Sequence, residues 1–372
     1  MMHIKKIPFF GLDRFYNENR EIFSTELDKV MQSGMFLKGK EIDMLEKKLS
    51  EYCSRKYCYT VSSCTDALIF SLLALDIKPG DEVIVTSFSF ISSASAILHA
   101  GATPVFVDIN PNTCLSSEQD IFNKITEKTK AVILVQLYGQ MHSKKLVEDI
   151  EKKYGIPVIE DAAQSFGSIY ENIKSGSSGT ISCLSFDPTK VIGGFGTGGA
   201  VLTNNDEIAE KINMLRNHGR NKKRNIILPG YNSQITSYQA ALINLQLNKL
   251  EEYIDKRKLI AERYDAAFKI LPEVKTLIIP ENIVHNYHKY IIITENRDAL
   301  RQFLKEHGIE TMIHYSDILP EQPVFKDYNK NDYPFAKKIS KQILSLPLYP
   351  ELKNEESDYI CSIISSFFNK YK

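Results

Sequence analysis

The chain has 372 residues, 43% of them hydrophobic, with 46 Lys+Arg against 46 Asp+Glu. Length and apolar content allow a large core and two domains, while the charge balance excludes a global field that would draw the molecule to nucleic acid or an anionic membrane. Any polyanion it binds must be held locally.

The opening MMHIKKIPFFGLDRF has no apolar run of leader length before Asp13, and no later stretch nears the roughly 18 apolar residues of a membrane span. A cytoplasmic protein is expected. Cys53, Cys58, Cys64, Cys114, Cys183 and Cys361 lack the close pairing of a zinc ribbon or redox motif, so reduced thiols and no metal site are expected.

From about 55 to 205, short β-rich runs alternate with helical stretches, the pattern of a mostly parallel sheet covered on both faces by helices. Strands are expected at 57–61, 82–86, 103–107, 131–136, 157–160, 182–185 and 199–203, with helices at 66–75, 92–100 and 144–154. A helix over 206–217 then leads to a basic loop, 218–225, and 237–268 reads as one long helix or a broken pair. A smaller α/β unit follows, with runs at 276–279 and 288–294, a helix over 298–307 and a closing segment 359–372. The expected division is a large unit, 1–250, which includes the amino-terminal segment, and a small carboxyl-terminal unit, 251–372.

Three segments of the alternating region carry chemistry. Ser185-Phe-Asp-Pro-Thr-Lys190 places a lysine between a strand end and a glycine-rich stretch, where a catalytic amine could sit. Lysines are ordinarily solvated surface groups, so the neighbours must supply the case. Gly194, Gly196 and Gly199 match the spacing of a dinucleotide fingerprint, but Ala200-Val-Leu-Thr203 reads as strand where that motif needs a helix.

Asp161 ends a buried-type strand, where a carboxylate can either cap a helix or pair with a protonated pyridine nitrogen. Ser62-Ser-Cys-Thr65 stands between a strand and a helix, where hydroxyls and free amides either cap the helix or hold a phosphate. The order phosphate site, acid, lysine along one sheet favours a pyridoxal-phosphate (PLP) enzyme.

These residues closely resemble the DegT/DnrJ/EryC1/StrS sugar aminotransferases, which are fold-type I PLP enzymes. The likeness runs through SSCTDAL (62–68), TSFSFISSASAI (86–97), EDAAQSFG (160–167), SFDPTK (185–190) and PGYNSQ (229–234) to HGIETMIHY (307–315) and LSLPLYPEL (344–352). The resemblance implies a large domain with a seven-stranded, mostly parallel sheet between helices, and a smaller carboxyl-terminal α/β domain. It makes Lys190 the lysine that carries PLP as a Schiff base and Asp161 the partner of the pyridine nitrogen. Gln164 would lie near the phenolic oxygen and Phe90 would stack on the ring. Ser63, Cys64, Thr65 and Ser185 would hold the phosphate, joined by Asn232 of a neighbouring subunit, which implies a homodimer with shared sites.

Cys64 stands at a usual glycine of that family, Gln136 at a frequent histidine, Asp187 at a commonly uncharged position and Thr197 at a frequent aspartate. Lys190 is intact, unlike the dehydratase branch with histidine there. The implied reaction moves an amino group from L-glutamate to a nucleotide-linked keto-sugar. Arg220 and Lys222 of the basic loop are candidates for its pyrophosphate, and Tyr231, His314 and Tyr315 for the sugar. The wording Gly230-Tyr-Asn-Ser233 leans toward C3 of dTDP-linked 3-keto-6-deoxyhexoses. Amination at C4, a non-catalytic regulator that binds PLP or nucleotide, and a Rossmann-type oxidoreductase are the alternatives. The last lacks a glycine fingerprint between Asn17 and Ser50.

Overall fold

Seven strands form the central sheet of the computed structural model, which describes residues 6–370. They are β1 (Tyr57–Val61), β2 (Glu82–Thr86), β3 (Thr103–Val107), β4 (Thr129–Val135), β5 (Val158–Asp161), β6 (Ile181–Ser185) and β7 (Gly199–Thr203). Their spatial order is β1-β7-β6-β5-β4-β2-β3. Strands β6, β5, β4, β2 and β3 pair in parallel, and β7 alone runs against both its neighbours, β1 and β6. The expected strands agree with these to within two residues. Every residue of β5 and β7 is buried, because helices cover both faces.

The helix expected from 66 begins at Cys64, since the Ser63 hydroxyl accepts from the Asp66 amide at 3.1 Å and caps it two residues earlier. The helix expected over 144–154 is α-helical only over Lys144–Glu148 and widens to a π turn over Asp149–Lys153. The span 237–268 is a broken pair, Ser237–Leu247 and Leu250–Phe268. The glycine triplet runs straight into β7 with no helix after it, so it forms no dinucleotide fingerprint.

The carboxyl-terminal unit holds an antiparallel sheet of Lys275–Thr276, Tyr290–Ile293 and Ile343–Leu346. The run expected to continue as strand to 279 leaves the sheet early. There the Ile278 amide donates to the Asn112 carbonyl at 2.8 Å and its own carbonyl accepts from Gln140 at 3.0 Å, stitching the chain to the large unit. The closing helix is Asn354–Lys370. Residues 371–372, like the first five of the opening segment, lie outside the described residues.

Helix Leu250–Phe268 joins the two units. Leu250 and Ile254 pack among β6 and β7 side chains, while Ile260, Ala261, Tyr264 and Phe268 pack in the carboxyl-terminal core. Ile7 also packs in that second core and pairs with Ile309. We propose that the division lies at 250/251, with this helix as the beam between the units. All six cysteines are free thiols, and no helix among the described residues is long and apolar enough to cross a membrane.

Behind the site sits a second buried acid. Glu160, next to Asp161 on β5, accepts from the Gly176 and Ser178 amides at 3.1 and 2.9 Å and from the Ser182 hydroxyl at 2.8 Å. The Arg55 guanidinium donates to the Ser178 and Gly179 carbonyls and to the Ser182 hydroxyl in the same pocket. Alternation along the strand thus sends Glu160 and Asp161 to opposite faces of the sheet.

Candidate functional site

The register of β7 assembles one wall of the site. Gly199 pairs with Val61 on one side and Ser185 on the other, so the loop after β1 and the end of β6 arrive side by side. A Cβ at Gly199 would lie 2.6 Å from the Ser63 carbonyl carbon and 2.7 Å from the Cys64 nitrogen. Only glycine lets this strand lie against the helix start. We expect Gly199→Ala to push the two apart, costing about 1–3 kcal/mol and weakening phosphate binding, read by thermal melting and cofactor titration.

At that helix start Ser63 is the cap, and the Thr65 hydroxyl meets the Ser92 hydroxyl at 2.9 Å. Helix first-turn amides have no intrahelical acceptor, so those of Cys64 and Thr65 are suited to hold an anion. Cys64 begins the helix without a left-handed φ, so its place at a usual glycine demands no strain. Burial holds its thiol well above the ordinary cysteine pKa, so no thiolate competes for the anion site.

Asp161 ends β5 and is 4% exposed. One of its oxygens accepts from the Ser93 hydroxyl at 2.7 Å and the other from the Ala163 amide at 3.2 Å. Burial raises its pKa above the ordinary aspartate value, opposed by these hydrogen bonds and by the nearby Lys190 amine. Burial likewise lowers the pKa of Lys190, opposed by Asp187, Cys64 and Asp161. Amine, carboxylate and helix start are therefore close enough to act on one another through charge. The loop bearing Lys190 is set by Asp187, whose carboxylate accepts from the Thr189 amide and hydroxyl at 2.9 and 2.6 Å. That turn accounts for an acid at a commonly uncharged position.

The opposite wall forms where Gln164 and Tyr138 of the large unit meet His314 and Tyr315 of the carboxyl-terminal unit. Gln164 accepts from the Tyr138 amide at 3.1 Å and donates to the Tyr315 hydroxyl at 3.2 Å. The Tyr138 hydroxyl donates to the His314 carbonyl, and His314 Nδ1 meets the Ser345 hydroxyl at 2.8 Å. Burial lowers the His314 pKa to about 3, with Lys289 and Lys190 adding to the effect, so its ring stays neutral at neutral pH. Phe90 is 55% exposed, its ring 6.4 Å from that of Tyr315. Gln136 occupies the frequent histidine position and accepts from the His142 amide at 2.7 Å, its amide nitrogen reaching Glu160 at 3.5 Å. Thr197 is exposed and nothing in the structure explains it.

The structure brings together Ser63, Cys64, Thr65, Asp161, Gln164, Ser185, Lys190, His314, Tyr315 and the edge of Phe90. Within one chain it does not add Arg220, Lys222, Tyr231 or Asn232, all of them exposed. Tyr231 packs on Phe70 with ring centroids 5.0 Å apart, and Asn232 accepts from Gln234. Their neighbour Ser233 is tied to the helix start, accepting from the Ser62 amide at 3.0 Å and donating to Asp66 at 2.7 Å. Sequence reasoning missed Ser93, which lies in an undifferentiated Ser/Ala run. It also missed Asn286, whose amide donates to the Gln164 and Phe166 carbonyls at 3.1 and 2.9 Å.

A lysine on the loop after β6 and a buried acid ending the neighbouring β5, near a helix start on a mostly parallel sheet, are the arrangement of PLP-dependent aminotransferases. The chain belongs to the DegT/DnrJ/EryC1/StrS aminotransferase family, whose model it matches over residues 17–365. It is 38% identical to the pleiotropic regulatory protein of Geobacillus stearothermophilus, over 98% of this chain and 99% of that one. It is 35% identical to the dTDP-3-amino-3,6-dideoxy-alpha-D-galactopyranose transaminase of Aneurinibacillus thermoaerophilus, over 97% and 99%. Its fold is similar to that of DesV from S. venezuelae, with a TM-score of 0.94 at 31% identity over 97% of this chain and 98% of that one.

The protein is thus a sugar aminotransferase of fold type I, and its cofactor is PLP, which solved relatives hold as PLP or its aminated form. The residues present fit that group. The close approach that Gly199 permits sets the helix start at Ser63, whose first-turn amides suit a phosphate, and the buried Asp161 carboxylate offers a partner to a ring N–H.

Proposed function

We propose that the enzyme transfers the amino group of L-glutamate to C3 of a dTDP-linked 3-keto-6-deoxyhexose, as a cytoplasmic homodimer. The observation that carries the aminotransferase chemistry is the buried Asp161 carboxylate, held by Ser93 and Ala163, with the half-buried Lys190 amine acting on it through charge near the helix start at Ser63. The C3 and dTDP assignments rest on the Gly230–Ser233 wording and on the name of the A. thermoaerophilus relative.

In this reading Ser63, Cys64, Thr65 and Ser185 hold the cofactor phosphate, with Asn232 supplied by the partner subunit. Bound PLP supplies an electron sink for the charge that develops at the donor Cα. Asp161, held by Ser93 and Ala163, keeps a proton on the ring nitrogen. Gln164 and Tyr315, hydrogen-bonded to each other, would orient the ring, and Phe90 would cover it. The Lys190 amine, its pKa lowered by burial, would take the proton from the donor Cα and deliver it to the cofactor carbon that bears the imine, and would reverse that transfer with the acceptor. Arg220 and Lys222 are free for a pyrophosphate, and Tyr231, His314 and Tyr315 for the sugar.

The regulatory name of the G. stearothermophilus relative gives weight to a second role in control, but not in place of catalysis, since lysine, acid and helix start are all intact. The test is the absorbance of the PLP-loaded protein before and after L-glutamate, followed by dTDP- and UDP-linked 3-keto and 4-keto sugars with product analysis by NMR. The expected result is loss of the visible band with glutamate and its return with the dTDP-3-keto sugar. Return only with a 4-keto or UDP-linked sugar overturns the regiochemistry or the nucleotide. No spectral response to glutamate overturns the donor.

A further inference from the structure

The cavity beside Lys190 has a second cationic wall that the roles above do not use. It encloses about 240 Å³, and its lining includes Lys190, Arg257, Lys289, Phe9, Phe10 and Glu351. Lys289 is 9% exposed and Arg257 6% exposed. Among the described residues Lys289 makes no ion pair or hydrogen bond. Its ammonium lies over the rings of Phe10 and Phe9, 4.5 and 5.3 Å from their centroids. Ring faces attract a cation but do not neutralise it.

Arg257 donates one nitrogen to the Tyr287 and Leu348 carbonyls at 3.2 and 3.0 Å, and its buried Nε finds no partner. Glu351 is the one acid on the lining and pairs with neither cation. Glu351 acts on Arg257, and Asp187 on Lys289, through charge without forming an ion pair, and burial with the neighbouring cations Lys190 and Arg257 still holds the Lys289 pKa well below its ordinary value. A ligand carboxylate at this wall would restore that charge.

We infer that Arg257 and Lys289 receive the distal carboxylate of the amino donor, so that the cavity selects a dicarboxylic amino acid. The inference rests on the aminotransferase reading and deepens its donor assignment. Size favours the donor over the acceptor, because the cavity falls below the roughly 300–1,000 Å³ of sites that enclose drug-sized ligands. A free amino acid fits a cavity of that size beside Lys190. The fork of Arg257 suits a carboxylate, and Lys289 adds a point charge to it.

The experiment titrates the PLP-loaded enzyme calorimetrically with glutarate, which has both carboxylates but no amine to react, then with butyrate and with inorganic phosphate. Glutarate is expected to bind at least tenfold more tightly than either. Lys289→Met, which keeps the stem and removes the charge, is expected to bring glutarate down to the butyrate level without lowering Tm. In single-turnover absorbance it raises the Kd for glutamate at least tenfold. The acceptor half-reaction, from the pyridoxamine-phosphate form with keto-sugar, should change less than twofold. Lys289→Gln serves as a second variant.

Glutarate binding unchanged in both variants would overturn the inference, as would phosphate binding as tightly as glutarate. An equal loss in the acceptor half-reaction would assign the wall to the sugar. A lower Tm with parallel losses for glutarate and butyrate would make Lys289 a structural clasp for Phe9 and Phe10. If glutamate leaves the wild-type spectrum unchanged, the donor reading fails, while the glutarate titration still decides the anion site.

Discussion

Lys190→Ala is expected to lower turnover by about 10⁴-fold or more, at the upper end of what a positioned general acid–base group contributes, with the covalent tether to the cofactor lost as well. The mutant should still bind PLP through the helix start and Asp161, but without the visible absorbance of the lysine-bound form. Its melting temperature should not fall, because an amine whose pKa burial lowers is an electrostatic burden on the fold. Exogenous methylamine, a small amine able to occupy the vacated space, should restore part of the rate. Turnover within tenfold of wild type would show that the proton at the donor Cα is moved by another group.

Asp161→Asn should lower kcat by roughly 10²–10³-fold, the scale of losing one preorganised electrostatic partner, with weaker PLP retention. The apo protein should behave in the opposite sense. Burial raises the folded-state pKa of Asp161 above 3.8, so between those values the folded form binds more protons than the unfolded form. Stability of the apo enzyme therefore falls as pH rises through that window, and the asparagine variant should lose this part of the decline. Thermal melts of both apo proteins across the acid range test the sign. A variant less stable than wild type at neutral pH would mean that the Ser93 and Ala163 hydrogen bonds outweigh the desolvation of the charge.

The alternation that reveals the sheet was legible because parallel strands buried on both faces are short Val/Ile runs, as in Val83–Val85 and Ile133–Val135. Asp161 and Lys190 could be placed at strand ends for the same reason. Helix Leu12–Ser33 was not legible although Phe15, Phe23, Leu27 and Val30 recur at helical spacing, because only Phe23 and Val30 are fully buried and exposed apolar residues such as Tyr16, Ile22 and Met31 blur the stripe. Ser93 was illegible because one hydroxyl among Ser92, Ser93 and Ser95 is distinguished only by the carboxylate it meets across the sheet. His314 and Tyr315 come from the second unit, more than a hundred residues from Lys190, and no local pattern predicts that approach. Lys289 reads as an ordinary charged residue before a strand. Its burial follows from the packing of Phe9 and Phe10 over it.

The two acids that end β5 also bear on how the sheet finds its alignment. A strand apolar on both faces can slide along its neighbours with little change in hydrophobic contact, so its side chains alone specify the pairing weakly. Sliding β5 by one residue would turn Glu160 toward the cofactor side, take it from Ser178 and Ser182 and remove the nearby charge that Arg55 faces. It would also bury Asp161 on the far side, away from Ser93. Each misaligned sheet would hold stranded charges in its interior, so the chemistry that equips the site also penalises mispaired intermediates during folding.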